Sequence, residues 1–232
     1  AKDKTVGSSG LTLRQGGSLT ARFDKSSFKD LAGRANWKYD GGKAKLDGSI
    51  TLEPSTLESV TGEAIAHLSE PMEVGDGLKL LRGGDLNLRV QDSKPGTFAG
   101  RVNWQYQDWV DGNVELASGT GFEGPYRGGA KARLLKTKDV GSKVQLRKGG
   151  HLEFDFDSQK NLADSTFNGN VALDYDKWLR GTIDLDNTSF TSLSGSAKMQ
   201  LLAGKDLGSS GIKLLKGSTA TAKLQSNELT GI

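Results

Sequence analysis

The chain has no cysteine, so neither disulfide cross-links nor thiolate chemistry enters its design. Histidine occurs only twice, as His67 and His151, at different phases of the pattern described below. Proline is scarce, with 4 residues. No apolar run approaches the ~20 residues of a membrane-spanning helix. Charge of one sign is lacking as well: 31 basic residues against 28 acidic ones leave a formal +3, too little field to mark a nucleic-acid partner. No nucleophile elbow, phosphate loop, paired-histidine zinc motif or EF-hand pattern is present. Carboxylates on exposed strand faces keep near-normal acidities and make poor general acids. These absences argue against an enzyme. The compartment stays open, and a structural repeat suggests an extracellular, surface or particle-borne setting.

What is abundant is glycine, 32 in 232 residues, about twice the usual share. Glycine marks a pattern that recurs along the chain. Gly100-Arg101-Val102-Asn103-Trp104-Gln105-Tyr106 is preceded by Gly33-Arg34-Ala35-Asn36-Trp37-Lys38-Tyr39 and followed by Gly169-Asn170-Val171-Ala172-Leu173-Asp174-Tyr175. Gly, a small apolar residue, a bulky one and Tyr stand at alternate positions, the period of a strand with one apolar face. The interval from Trp37 to Trp104 nearly equals that from Trp104 to Leu173, so the pattern is a repeat of steady length.

Other strands keep the same phase. Leu19, Ala21 and Phe23 match Leu86, Leu88 and Val90, then Leu152, Phe154 and Phe156. Gly48, Ile50 and Leu52 match Gly112, Val114 and Leu116, then Gly181, Ile183 and Leu185. Gly62 to Leu68 matches Gly128 to Leu134 and Gly195 to Leu201. A short apolar run ending in a basic residue and glycine leads each set: Leu11 to Gly17, Leu78 to Gly84, Val144 to Gly150 and Ile212 to Gly217. It reads as a tight hairpin or as part of one long bulged strand. The spacing divides the chain into residues 1–10 as the tail of a preceding unit, repeats at 11–77, 78–143 and 144–211, and a partial fourth at 212–232. The first residues, Ala1-Lys2-Asp3-Lys4, suggest a processed or excised chain. A short helix is conceivable only at Asp164 to Asn168.

The expected fold is all-β: an antiparallel sheet of three ~67-residue units, each of four to five strands, plus the partial fourth, rolled or spiralling. A closed barrel or a sandwich is the alternative. Trp37 and Trp104 fall on the apolar face and are expected in the core.

Two features invite a ligand. In the third repeat the outward positions Glu153, Asp155, Asp157, Asp174, Asp176, Asp184 and Asp186 are all acidic, unlike their counterparts in the first two. Such an oxygen-rich face suits Ca²⁺ or a basic partner. The stronger expectation is a solvated face tempered by Arg147, Lys177, Arg180 and Lys198, with no cofactor. Trp109 and Trp178 each follow their Tyr by three residues, in a hairpin connection. They would stack on a glycan or a protein, or else fold back over the end of the sheet.

The expected function is a non-enzymatic stalk, spacer or shell module whose partners are further repeats of the same or a larger chain. A glycan- or protein-binding module and a lipid-holding β-groove are the alternatives. The Ala- and Gly-rich inner face favours tight packing over a roomy cavity.

Overall fold

The computed structural model describes residues 2–42, 44–56, 58–118, 125–159, 165–189, 191–206 and 208–231. Asp164 of the candidate helix, Leu207 and Ile232 lie outside the described residues. Every regular element among them is a strand, and Thr166 to Asn168, in the helix candidate, is extended. Eighteen strands form one antiparallel sheet that does not close into a barrel, and two more make a separate ribbon. The chain divides into two compact bodies, residues 1–105 with 113–128 and residues 106–112 with 129–232.

In the first body, β1 (Lys4–Val6), β2 (Leu11–Asp24), β3 (Ser27–Asp40), β4 (Lys45–Ser55) and β5 (Gly62–Leu68) follow in series. After β6 (Met72–Gly75) comes β7 (Leu78–Gln91), which pairs with β5. Then come β8 (Lys94–Tyr106), β9 (Val110–Ser118) and β10 (Tyr126–Leu134), each with residues in both bodies. The second body continues with β11 (Lys138–Val140), β12 (Val144–Leu146), β13 (His151–Asp157), β14 (Thr166–Tyr175), β15 (Leu179–Ser189) and β16 (Gly195–Leu201). It closes on β17 (Lys205–Asp206), β18 (Lys213–Leu214), β19 (Thr219–Gln225) and β20 (Glu228–Gly231).

The leading segment takes both expected forms. In β2 and β7 it is one long strand, whereas β12 and β13 are separated at 147–150. The glycines explain the break in the ladder. Gly16, Gly83, Gly149 and Gly217 all have φ between 86° and 95°, where an L side chain is strained. The next residue runs against the facing strand: a Cβ on Gly17 or Gly84 would lie 2.6 Å from the carbonyl oxygen of Arg34 or Arg101. One glycine turns the chain and the other lets two backbones meet. Sequence reading passed over the short strands before each junction. β1, β6, β11 and β17 each fold back on the strand after them.

Cross-strand register sets the relief of the apolar face, because directly opposed residues share a face. Leu19 opposes Gly33, which opposes Leu52, which opposes Gly62, which opposes Val90. In the second body Leu152, Gly169, Leu185, Gly195 and Leu224 oppose one another in the same order. Two rows away, Trp37 lies opposite Gly48 and Leu173 opposite Gly181. The face is thinly covered. Among the described residues Leu201 is the one buried large apolar side chain, while Leu19 is 53% and Phe23 66% exposed. Trp37 and Trp104 are half-buried rather than enclosed in a core.

Hydroxyl groups replace an apolar core where loops meet hairpins. The Thr188 side chain, fully buried, donates to the Ser194 carbonyl at 2.6 Å and accepts from the Ser194 amide at 3.1 Å. Ser55 does the same with Thr61, at 3.1 and 2.9 Å. The loop so closed grips the next hairpin tip. Asn227 donates its amide to the Leu193 carbonyl at 3.0 Å, and its side-chain oxygen accepts the Leu193 amide at 2.8 Å. Ser93 makes the matching pair with Val60, at 2.8 and 3.0 Å. Both central residues of each tip, Asp92-Ser93 and Ser226-Asn227, have positive φ, the turn that suits the twist of a hairpin.

Thr188→Val keeps the shape but removes both bonds of the hydroxyl and strands the Ser194 amide, while the Ser194 carbonyl keeps the Asp186 amide at 3.1 Å. Such a loss costs about 1–3 kcal/mol. The urea midpoint of Thr188→Val is therefore expected to fall clearly, while Thr51→Val, exposed on β4, shifts by less than about 0.5 kcal/mol. Equal midpoints for the two variants would show that the clasp contributes nothing.

Candidate functional site

The two tip tryptophans occupy matching settings. Trp109 closes the connection between β8 and β9, and Trp178 that between β14 and β15. Positive φ at Gln107, and at Asp176 and Lys177, tightens the turns. The carbonyls of Trp109 and Trp178 accept the amides of Leu135 and Leu202, at 2.8 and 2.7 Å, which fixes the backbone of each tip to the end of the neighbouring strand. Each ring then folds back on its own Tyr. Tyr106 and Trp109 meet edge to face at 6.0 Å, and Tyr175 and Trp178 at 6.1 Å. A lysine stands over each indole: Lys138 lies 5.4 Å from the Trp109 ring and Lys205 5.3 Å from that of Trp178. The Trp109 N–H donates to the Gln107 side chain at 3.1 Å. Both rings are half-buried.

Sequence reading missed the two lysines. Lys138 and Lys205 stand one period of the tryptophan pattern apart, and aligning the repeats one strand further would have found them. By hydrogen bonding the counterpart of the two tryptophans in the first body is Lys45, whose carbonyl accepts the Ser69 amide at 2.9 Å. Its side chain pairs with Glu70 at 2.7 Å in place of an aromatic stack.

The seven acidic positions are all described, and most are engaged locally. Glu153 pairs with Lys131 at 3.2 Å. Asp157 accepts the Gln159 amide at 3.0 Å. Asp184 is hydrogen-bonded by the Asn170 side chain on the facing strand. Asp174 receives two bonds from Arg180, at 2.8 and 3.2 Å, with Arg147 3.7 Å away. Asp155 stands on β13, Asp176 in the β14–β15 turn and Asp186 on β15. Cationic and amide side chains are thus interleaved among the carboxylates. Among the described residues no three His, Asp or Glu side chains are grouped as a metal site.

The hydrogen bond from Arg180 holds the Asp174 carboxyl below the ordinary aspartate range. Partial burial opposes this, and the charges of Arg180 and Arg147 add to it. The linkage has a definite sign. A depressed folded-state value contributes stability above the unfolded value and loses it as pH falls through the folded one. Asp108 is lowered in the same direction by its hydrogen bond from Lys136.

His67 lies opposite both Asp47 and Asp85, on β4 and β7. It borders an open polar hollow of about 550 Å³ with Arg14, Arg34, Asn36 and Ser49. His151 belongs to the other body, opposite Asn170. No protein-family model matches the chain, and no characterised protein matches it in sequence.

Two measurements check this geometry. In Arg180→Gln the Asp174 titration midpoint, followed by carboxyl ¹³C NMR, is expected to move up. The stability gap to the parent should then narrow as pH drops below the ordinary aspartate range. An unmoved midpoint would remove the pairing. For the aromatic tip, a double-mutant cycle with Tyr175→Leu and Trp178→Leu is expected to give a coupling of about 0.5–1.5 kcal/mol. A coupling near zero would mean that the rings do not meet in solution.

Proposed function

We propose that this chain is a non-enzymatic structural segment, a β-repeat module built to extend in series with further units of the same kind. The observation that carries the reading is the matched register of the two bodies. The order Trp37, Gly48, Ala66, Leu86 across β3, β4, β5 and β7 has its counterpart in Leu173, Gly181, Met199, Ala220 across β14, β15, β16 and β19. The clasps agree: the pair Ser55 and Thr61 and the pair Thr188 and Ser194 stand two periods of the sequence pattern apart. A segment that must join like to like needs its backbone hydrogen bonds to recur in this way.

The acidic positions fit this role as a charge-balanced outer face, and the tip tryptophans fit it as end packing. Each Trp ring touches a lysine that follows it on the next short strand. The tips therefore tie the end of a hairpin to a later strand of the same unit.

The reading predicts that whole units can be removed. A chain lacking residues 78–143 joins Gly77 to Val144 in the phase of the natural junction. It is expected to unfold cooperatively in urea, with an m-value reduced roughly in proportion to the lost length. A chain lacking only residues 78–110 breaks the phase and should not fold. If both deletions unfold the protein alike, the repeat reading fails.

A further inference from the structure

The long edge of β2 differs from the same edge of its counterpart strand. β2 pairs with β3 along one side. On the other side β1 covers only Leu11 to Leu13. Among the described residues no strand pairs with Ser18 to Phe23 on that second side. In β7 the same side is shared by β6 and β5. Burial follows the difference. Every residue of β2 from Leu13 onward is exposed, Leu19 and Phe23 among them. Leu86, Leu88 and Val90, their counterparts on β7, are half-buried beside β5. An unpaired apolar edge of this kind is a template for another strand.

The hairpin tip at the end of this edge has the shape of the two gripped tips. Lys25 and Ser26 both have positive φ, as do Asp92-Ser93 and Ser226-Asn227. Ser26 and Ser93 stand one period of the pattern apart, and Ser93 and Asn227 two. In each gripped tip the second residue pairs with Val60 or Leu193 through its amide and its side chain. The amide of the first donates to a loop hydroxyl, Asp92 to Thr61 and Ser226 to Ser194, each at 3.1 Å. Among the described residues no loop makes these bonds to Lys25 and Ser26.

Register identifies the strand that fits. β5 sets Gly62, Ala64 and Ala66 against Val90, Leu88 and Leu86. β16 sets Gly195, Ala197 and Met199 against Leu224, Ala222 and Ala220. By phase, Phe23, Ala21 and Leu19 take the same places. The fitting strand therefore reads glycine, then alanine or methionine at alternate positions, and it follows a loop closed by Ser or Thr hydroxyls. A second copy has no such strand to spare, because its β5, β10 and β16 are each paired on both sides.

We propose that the edge of β2 from Ser18 to Phe23, with the tip Lys25-Ser26, is a docking site for a strand of this pattern supplied by another polypeptide. The strand adds to the sheet as β5 adds to β7, and the loop before it grips the tip. The proposal rests on the repeat reading above and names the partner at one edge.

The test uses the full chain and a fluorescein-labelled peptide with the sequence of residues 53–68, which carries both loop and strand. Fluorescence anisotropy should show saturable binding, and a peptide of the same composition in scrambled order should show none. Hydrogen exchange read by mass spectrometry should slow at residues 18–26 when the peptide is bound. Ser26→Ala deletes the acceptor for the loop amide and should weaken binding roughly threefold to tenfold. Ser142→Ala, exposed in the other body, should leave it unchanged. Circular dichroism shows whether Ser26→Ala remains folded. A peptide carrying Val60→Pro lacks the amide that grips the tip, so it asks the same question of the parent chain and should bind more weakly. Absence of saturable binding at millimolar peptide overturns the proposal. So does binding that slows exchange at residues 228–231 instead of 18–26, or binding that Ser26→Ala or the Val60→Pro peptide leaves unchanged. A chain that dimerises by itself with residues 18–26 protected overturns it too and assigns the edge to a second copy. The repeat deletion reads the folding of one chain and this test reads the capture of another, so either can fail without the other.

Discussion

Backbone pairing between neighbouring strands is the constraint on which the rest depends. A sheet of this kind has little interior, so the ladder has to carry what a packed core carries elsewhere. The glycines follow from that demand. At Gly17 and Gly84 the facing carbonyl comes so close that any side chain would push the strands apart. At Gly48 the facing residue is Trp37, whose ring lies over the space that a side chain would fill. Large aromatics over glycines recover apolar contact that the bare backbone lacks. The low hydrophobic share of 34% is then no weakness. Extra bulk at the notches would break the register that holds the sheet.

Much of this was legible in the sequence. A period of two, kept in phase from one repeat to the next, requires strands that share a face. The all-β antiparallel sheet was accordingly read correctly from the strands of Trp37, Trp104 and Leu173. Hydrogen bonds between loops were not legible. Thr188, Ser194 and Asn227 read as ordinary polar turn residues, because nothing in a sequence tells a hydroxyl in water from one that bridges a buried amide and carbonyl. The tip tryptophans were equally ambiguous. Their spacing placed them in turns, but their packing depends on Lys138 and Lys205, which lie well beyond the turn in sequence.

The expectation that Trp37 and Trp104 lie in a core went too far for a definite reason. Periodicity reports which residues share a face, not what covers that face. Pattern arguments borrow the assumption that an apolar face is buried, because in most domains a second layer comes from the same chain. Here the half-buried tryptophans and the exposed Leu19 and Ile50 show the pattern without the cover. The same limit holds for the acidic positions. Alternation put seven carboxylates outward, while their neutralisation depends on the strand register that sets Arg180 opposite Asp174.

The loop clasps add a constraint that the ladder alone does not. Strands in series can slip by two residues and keep the same face inward. A hairpin tip gripped through both its amide and its side chain cannot slip at all. Ser93 and Asn227 are held in this way by loops that close the strand pair before them. On the repeat reading, each grip joins one unit to the next, so a single unit by itself would lose both its flanking ladder and its partner for the clasp. On that reading stability resides in the junctions, as in nearest-neighbour arrays. The buried hydroxyls of Ser55 and Thr188 then belong at the ends of β4 and β15, where the clasped loops begin. Register has to be fixed where one unit hands over to another, and a directional hydrogen bond fixes it better than a smooth apolar contact can.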